Sequence, residues 1–162
     1  YNISSQIFFK MLEYRHLIPV CTGMIQKEVA ERLAAAPGSK VYGILSVLIQ
    51  LWYDVEYLFT VDEGVFNPPP KVKSAVIRMT RNDVKELGCD ERLFKRWVKT
   101  VFNQRRKMLR VSLKQMFPGV NPREDFFTTD IMTKRPEQLT ISQFVELTNY
   151  VGEELKRLEM DK

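Results

Sequence analysis

The chain has 162 residues, of which 44% are hydrophobic and 28% are charged, a composition that supports a packed core and excludes a wholly disordered chain. Its formal net charge of +5 favours an anionic partner over a neutral one. No apolar run approaches the roughly 18 residues that a membrane-spanning helix needs. Two distant cysteines, Cys21 and Cys89, and a single histidine, His16, lack the spacing of a metal site, so we expect no metal, no membrane and a reduced cytoplasmic protein.

The beginning of the sequence indicates a piece of a longer protein. Residue 1 is a Tyr rather than a Met, and apolar periodicity comes directly after it. A natural N-terminus usually has some polar lead-in. We therefore expect a fragment, a trimmed chain or one that is only partly ordered.

The first half of the chain predicts helices and strands that alternate. Hydrophobic spacing predicts helices over residues 3–12, 27–35 and 42–51, and strands over residues 20–26, 53–61 and 74–79. The segment 20–26 is predicted to be largely buried. Segment 42–51 fits a buried helix or a strand by periodicity, and its length favours a helix. We expect these elements to be the closing half of an α/β sheet that ends in an antiparallel pair.

After Thr80 the chain predicts helices alone. Asp90 can cap a helix that carries apolar residues at helical spacing to Phe102, and a second helix is predicted over about residues 107–116. Thr140 and Gln143 have the form of a capping box at the start of a third helix. We therefore predict two domains, 1–81 with the sheet and 82–162 as a small helical bundle.

The helical half has segregated charge. Residues 92 to 123 contain ten Lys or Arg and no Asp or Glu, whereas the rest of this half carries its 13 acidic residues. Neutralised phosphates release counterions, so such segregation favours nucleic acid over a merely solvated face. The densest part is Arg105-Arg106-Lys107, where one predicted helix ends and the next begins, and Arg110 lies just beyond it.

A rigid loop, Phe66-Asn67-Pro68-Pro69-Pro70, precedes the last predicted strand. Its Phe66 could be a stacking plate for a flat ligand. Alternatively, Phe66 could close the end of the core, and the local sequence favours this simpler interpretation. Lys71 and Lys73, which come directly after the prolines, make the loop more polar and favour a functional role.

Three segments together resemble one family, the bacterial dimethyladenosine transferases of small-subunit ribosomal RNA. They are 24–33 with the subsequent 42–47, the loop 66–76 that reads FNPPPKVKSAV, and 102–107 that reads FNQRRK. The opening Tyr1-Asn2-Ile3 is similar to the end of that family's catalytic Asn-Leu-Pro-Tyr motif and the residues just after it. The resemblance implies the C-terminal half of a Rossmann-like methyltransferase sheet, with a helical RNA-binding domain after it.

The resemblance also implies an activity and its residues. Family members transfer methyl groups from S-adenosylmethionine to the exocyclic amino nitrogen of two adjacent adenosines near the 3′ end of the small-subunit rRNA. By motif, Tyr1 would be the aromatic residue of the catalytic motif and Phe66 the plate that stacks on the adenine, which reverses the local preference. The cofactor-binding residues would precede Tyr1, so no cofactor residue is expected here and the fragment alone would be inactive.

The predicted RNA-binding residues lie in three places. Lys27 and Arg32 lie on the helix of the first motif, and Lys71 and Lys73 come after the prolines. Arg105, Arg106, Lys107 and Arg110 form what we call the basic corner. For Lys27 and Arg32, a solvated helix face fits equally well. The expected partners are small-subunit rRNA and the immature small ribosomal subunit. An exposed edge of a half-sheet could also pair with a second copy.

Two other functions remain open from the residues. One is a nucleic-acid-binding protein with a methyltransferase fold and no catalysis. The other is the large-subunit rRNA methyltransferase that confers macrolide resistance. The forms FNPPPK and NQRRK favour the small-subunit enzyme over the second alternative.

Overall fold

The computed structural model describes residues 4–161, and these residues divide into two units. We call residues 4–36 and 41–85 the sheet unit, and residues 37–40 and 86–161 the helical unit. The combination of an α/β part and an all-α part that the sequence predicts is confirmed. The assignment of residues 1–81 to a catalytic domain and 82–162 to an RNA-binding domain stays a prediction.

The sheet unit is built on three antiparallel strands, β1 (Val20–Gln26), β2 (Tyr53–Val61) and β3 (Ser74–Arg81). The order is β1-β3-β2, with Ile77 of β3 opposite Gly23 on one side and Tyr57 on the other. The pairing of β2 shifts after Tyr57, which is a bulge-like irregularity. The antiparallel ending that the sequence predicts is therefore confirmed.

Three helices, α1 (Ser4–Glu13), α2 (Lys27–Ala34) and α3 (Ile44–Gln50), complete the sheet unit. Segment 42–51 is helical, as its length predicts. Gln50 donates hydrogen bonds from Nε2 to the carbonyls of Leu33 and Ala35, at 2.8 Å each, which satisfies acceptors at the end of α2.

The prediction that residues 20–26 are largely buried is wrong. Of strand β1 only Ile25 is buried, whereas Val20 is 51% exposed and Met24 is 41% exposed. Within the described residues β1 pairs with β3 alone, so it forms one edge of the three-stranded sheet. The side chains of a strand project above and below the sheet, so they stay exposed where no other element covers that face.

The helical unit contains α4 (Glu91–Phe102), α5 (Leu109–Ser112) and α6 (Ile141–Met160). Both predicted caps form, since the Asp90 side chain accepts from Leu93 N at 2.7 Å and Thr140 Oγ1 accepts from Gln143 N at 3.2 Å. The predicted second helix is shorter than expected, because after Ser112 the chain continues as a 3-10 turn over 113–116. None of the described helices is long and apolar enough to cross a membrane.

A buried carboxylate, that of Glu154 on α6, anchors the loop around residue 123. It accepts hydrogen bonds from Arg157 Nη2 and from the Arg123 backbone N–H, both at 2.6 Å, although Glu154 is only 2% exposed. The hydrogen bond from Arg157 holds the pKa of Glu154 below its ordinary value of 4.5, while burial opposes this shift. The charged form of Glu154 is therefore favoured by folding.

We expect Glu154→Gln to weaken the pH dependence of stability in acid. A carboxyl whose pKa is lowered by folding stabilises the native state above its unfolded pKa, and this contribution disappears as the pH falls through the folded pKa. The variant should lose about 1–2 kcal/mol near neutral pH, after allowance for the solvent exposure of Arg157. Its unfolding free energy should converge with that of the parent below pH 4.5. The control is Glu159→Gln, which removes an exposed carboxylate of the same helix. If the unfolding free energies of Glu154→Gln and the parent ran parallel with pH, Glu154 would not be the group responsible.

Candidate nucleic-acid interface

The loop of Phe66 connects β2 to β3. A 3-10 turn over Glu63–Val65 precedes it, and Phe66 N–H donates to the Glu63 carbonyl at 3.3 Å. Phe66 has extended backbone (φ −103°, ψ 152°), and the peptide between Asn67 and Pro68 is cis. The Phe66 side chain is only half-buried, in contrast to core residues such as Ile77, which is 1% exposed. Phe66 is therefore not part of the fully buried core. Tyr1, its predicted companion, lies outside the described residues.

The carboxylate of Glu63, three residues before Phe66, has a property that no sequence pattern predicts. Its Oε2 is shielded from solvent and has no hydrogen-bond partner among the described residues. A buried acceptor without a partner costs free energy. The burial of this oxygen is visible only in the folded structure, where Glu63 lies in the turn before Phe66.

The structure brings together two of the predicted RNA-binding residues beside the proline loop. Lys27 N–H donates to the Lys73 carbonyl at 2.9 Å, and both residues line a cleft of about 290 Å³. Each ammonium group has a nearby carboxylate: Lys27 Nζ is 3.8 Å from Glu31, and Lys73 Nζ is 3.6 Å from Asp62. Their charges are thus partly balanced within the chain.

Arg32 and Lys71 lie apart from this pair. Arg32 is exposed on α2 and forms an ion pair with Glu28 at 2.8 Å. Exposed pairs of this kind contribute little to stability. Lys71 is exposed and forms no ion pair within residues 4–161.

The basic corner between α4 and α5 divides into two kinds of residue. Arg105 Nη2 lies 3.0 Å from Glu137 Oε2 and donates to the Lys40 carbonyl at 2.9 Å. Arg105 thus has a structural role within the helical unit, which the charge pattern alone did not reveal. Arg106, Lys107 and Arg110 are instead exposed.

Most cations between residues 92 and 123 of the helical unit are exposed. The turn that carries Arg106 is held by backbone hydrogen bonds, from Gln104 N to Val101 O at 3.1 Å and from Lys107 N to Gln104 O at 2.8 Å. Of the ten cations between residues 92 and 123, three have carboxylate partners, namely Lys95, Arg105 and Arg123. The other seven have no ion pair with a carboxylate in the described part of the chain: Arg92, Arg96, Lys99, Arg106, Lys107, Arg110 and Lys114. These seven define what we call the basic surface.

The family model and the relatives that match this chain agree with one another. The family model described as ribosomal RNA adenine dimethylase matches residues 1–153. The chain is 71% identical over 157 residues to a protein named ribosomal RNA small subunit methyltransferase A from Bacteroides thetaiotaomicron, and 69% identical over 156 residues to the one from Phocaeicola vulgatus. These matches cover 96% of this chain but 57% and 55% of the two relatives, so the chain spans about half their length.

Two solved structures share the fold. A dimethyladenosine transferase from Plasmodium falciparum aligns with a TM-score of 0.80 and 24% identity, over 95% of this chain and 64% of that one. The 23S rRNA methyltransferase ErmE aligns with a TM-score of 0.59 and 23% identity, over 92% and 62%. The methyltransferase-type fold predicted in the sequence is therefore confirmed. Because the family model covers nearly the whole chain and the curated relatives are about 70% identical, this chain belongs to the ribosomal RNA adenine dimethylase family.

Proposed function

We propose that this chain is the part of a small-subunit rRNA adenine dimethyltransferase that receives RNA and holds the target base. The parent enzyme dimethylates the exocyclic amino nitrogen of two adjacent adenosines near the 3′ end of the rRNA, during assembly of the small subunit in the cytoplasm. The observation that carries the proposal is the basic surface, whose seven cations lie without carboxylate partners among the described residues of a chain of the rRNA adenine dimethylase family.

The chemistry of the base explains the role proposed for Phe66. The amino lone pair of adenine is delocalised into the ring and is a poor nucleophile, so its orientation toward the methyl donor supplies much of the rate. A base inside a helix must also be unstacked before it can react. The half-exposed Phe66 ring, held in an extended loop before β3, offers a face that replaces the lost stacking. Tyr1 would supply the companion ring.

The methyl donor of the parent enzyme is S-adenosylmethionine, which supplies an electrophilic methyl group. The described residues do not fit its site, because such cofactors need a glycine-rich turn between a strand and a helix, where the backbone can approach the ligand. Here β1 continues directly into α2 at Lys27, with Gln26 at the junction. We therefore assign these residues to the base and the RNA, and none to the cofactor.

The proposal is tested with the full-length protein and small subunits that lack the modification. Incorporation of four methyl groups per subunit, two on each of two adjacent adenosines, is the expected result. Tight binding without methylation would instead indicate a binding protein of methyltransferase fold. Methylation of large-subunit rRNA would indicate the resistance enzyme.

For RNA binding, we expect the double change Arg106→Gln with Lys107→Gln to flatten the salt dependence of binding. Each phosphate contact adds roughly 0.7–0.9 to the slope of log affinity against log salt, so two lost contacts lower the slope by roughly 1.5. The measurement is the affinity of the full-length protein for immature small subunits across a salt series.

The matched control is Arg105→Gln, because Arg105 is held by Glu137 and the Lys40 carbonyl. We expect it to leave the slope nearly unchanged and to lower the melting temperature by about 2–4 °C, which corresponds to about 1 kcal/mol. An unchanged slope for the Arg106 and Lys107 variant would mean that the basic corner is a solvated surface.

A further inference from the structure

An apolar pair, Met108 and Val111, lies inside the basic surface. Met108 is 39% exposed and Val111 is 45% exposed. In the described part of the helical unit the other large hydrophobic residue that is exposed is Met160, in the last turn of α6. The two exposed side chains near α5 are thus neighbours, whereas most apolar residues of this unit are covered.

One short turn carries both Met108 and Val111. Met108 is the cap residue of α5 and Val111 is its third residue. The Met108 carbonyl accepts from Val111 N–H at 3.0 Å, which fixes the backbone between them. The opposite face is closed, since Leu109 and Leu113 are completely buried. The pair is therefore held on a fixed support, and it cannot turn inward without breaking the core.

The local structure does not explain why residue 108 is a methionine. It occupies the cap position of α5, where Ser, Thr, Asp or Asn would stabilise the helix, and it makes no side-chain cap hydrogen bond. The first amide of α5 is satisfied instead by the chain itself, since Leu109 N–H donates to the Lys134 carbonyl at 2.9 Å. A polar residue at position 108 would serve the helix better, so the apolar side chain is suited to a ligand.

The surrounding charges identify the chemistry of that ligand. Lys107 and Lys114 lie four positions before and three positions after Val111, and Arg110 is adjacent to it, all exposed. Phosphates attract these cations, but a surface that met only phosphates would have no use for an apolar centre. Unpaired bases in RNA loops present flat apolar faces between phosphates, and a thioether contacts aromatic rings favourably.

We infer that Met108 and Val111 form a subsite for one unpaired base of an rRNA loop, with Lys107, Arg110 and Lys114 on its flanking phosphates. This inference rests on the proposed RNA-binding function and adds what the basic surface recognises. The subsite binds a base that is turned out of its helix. It is a different site from the Phe66 loop, which we propose holds the target adenine. A fully paired duplex cannot occupy it, because its bases are stacked inside the helix.

The test compares two RNA probes, a hairpin with an unpaired loop from the small-subunit rRNA and a fully paired duplex of equal length. In the full-length protein, Met108→Ser with Val111→Ser should weaken hairpin binding about fivefold. It should leave the slope against salt unchanged, because no charge is removed, and duplex binding should stay nearly the same. Met108→Leu with Val111→Ile keeps the apolar surface and should retain hairpin affinity.

An equal loss on hairpin and duplex, or no loss on the hairpin, would overturn the base subsite. Melting temperatures of the Ser variant should stay at the parent value, because both side chains are exposed and Ser is a good cap residue. The charge variants of Arg106 and Lys107 separate the two proposals. If they alter the salt slope while the Ser variant has no effect, the base subsite fails and RNA binding by the basic surface stands.

Discussion

Replacement of Phe66 by Ala in the full-length enzyme is expected to lower single-turnover methylation by tenfold or more, because stacking of a base on an aromatic ring is worth roughly 1–3 kcal/mol. The half-buried ring lies in an extended loop before β3, so its loss removes the face proposed for the base. Binding to immature subunits should stay nearly intact, since we propose that the basic surface makes most of the phosphate contacts.

Two variants control this experiment. Phe66→Tyr keeps the ring and should retain most of the rate. Phe59→Ala removes a ring that is 55% exposed on β2, and it should leave methylation unchanged. An unchanged single-turnover rate for Phe66→Ala would eliminate the stacking role and restore the simpler interpretation, in which Phe66 closes the end of the core.

The largest loss of stability is expected for Trp97→Ala, at about 3–5 kcal/mol. Trp97 is completely buried, and its ring centroid lies 5.3 Å from that of Phe144 and 6.5 Å from that of Phe94. Truncation leaves a large cavity at the contact between α4 and α6, which the surrounding rings cannot fill. Urea unfolding monitored by far-UV circular dichroism measures the effect, and Met160→Ala, an exposed truncation on α6, should change stability by less than about 0.5 kcal/mol.

The hydrogen bond of Trp97 can be tested separately. Nε1 donates to the buried Thr148 Oγ1 at 2.6 Å. Thr148→Val keeps the volume but leaves the indole N–H without an acceptor, at a cost of about 1–3 kcal/mol, whereas Thr148→Ser keeps the acceptor. Stability of Thr148→Val equal to that of the parent would show that this hydrogen bond makes no net contribution.

Local patterns predicted most of the helices and strands because the hydrophobic period is a property of consecutive residues. The alternation over 53–61 matches β2, and the helix favoured for 42–51 exists as α3. The capping box at Thr140 also formed as predicted, since its two partners are only three residues apart. Each of these features needs no knowledge of distant residues.

Predictions that depend on distant neighbours were the weaker ones. Strand β1 has an apolar sequence, yet it is mostly exposed, because burial depends on which distant elements cover the faces of the sheet. The second helix of the helical half ends early, and the chain tightens into a 3-10 turn that still buries Leu113 and Met116. Periodicity alone could not separate the two conformations, since both bury residues three or four apart.

The sequence by itself determined the division into an α/β part and a helical part, the segregation of positive charge and the family motifs, because all three are carried by contiguous residues. Only the tertiary structure decided which cations of this stretch have a carboxylate partner. Arg105 and Arg106 are adjacent and chemically identical, but Arg105 is paired with Glu137, 32 residues away, and Arg106 is exposed without an ion pair in the described chain. The fold decides which of the two arginines forms an ion pair, because an ion pair needs a carboxylate that the folded chain brings close to the guanidinium.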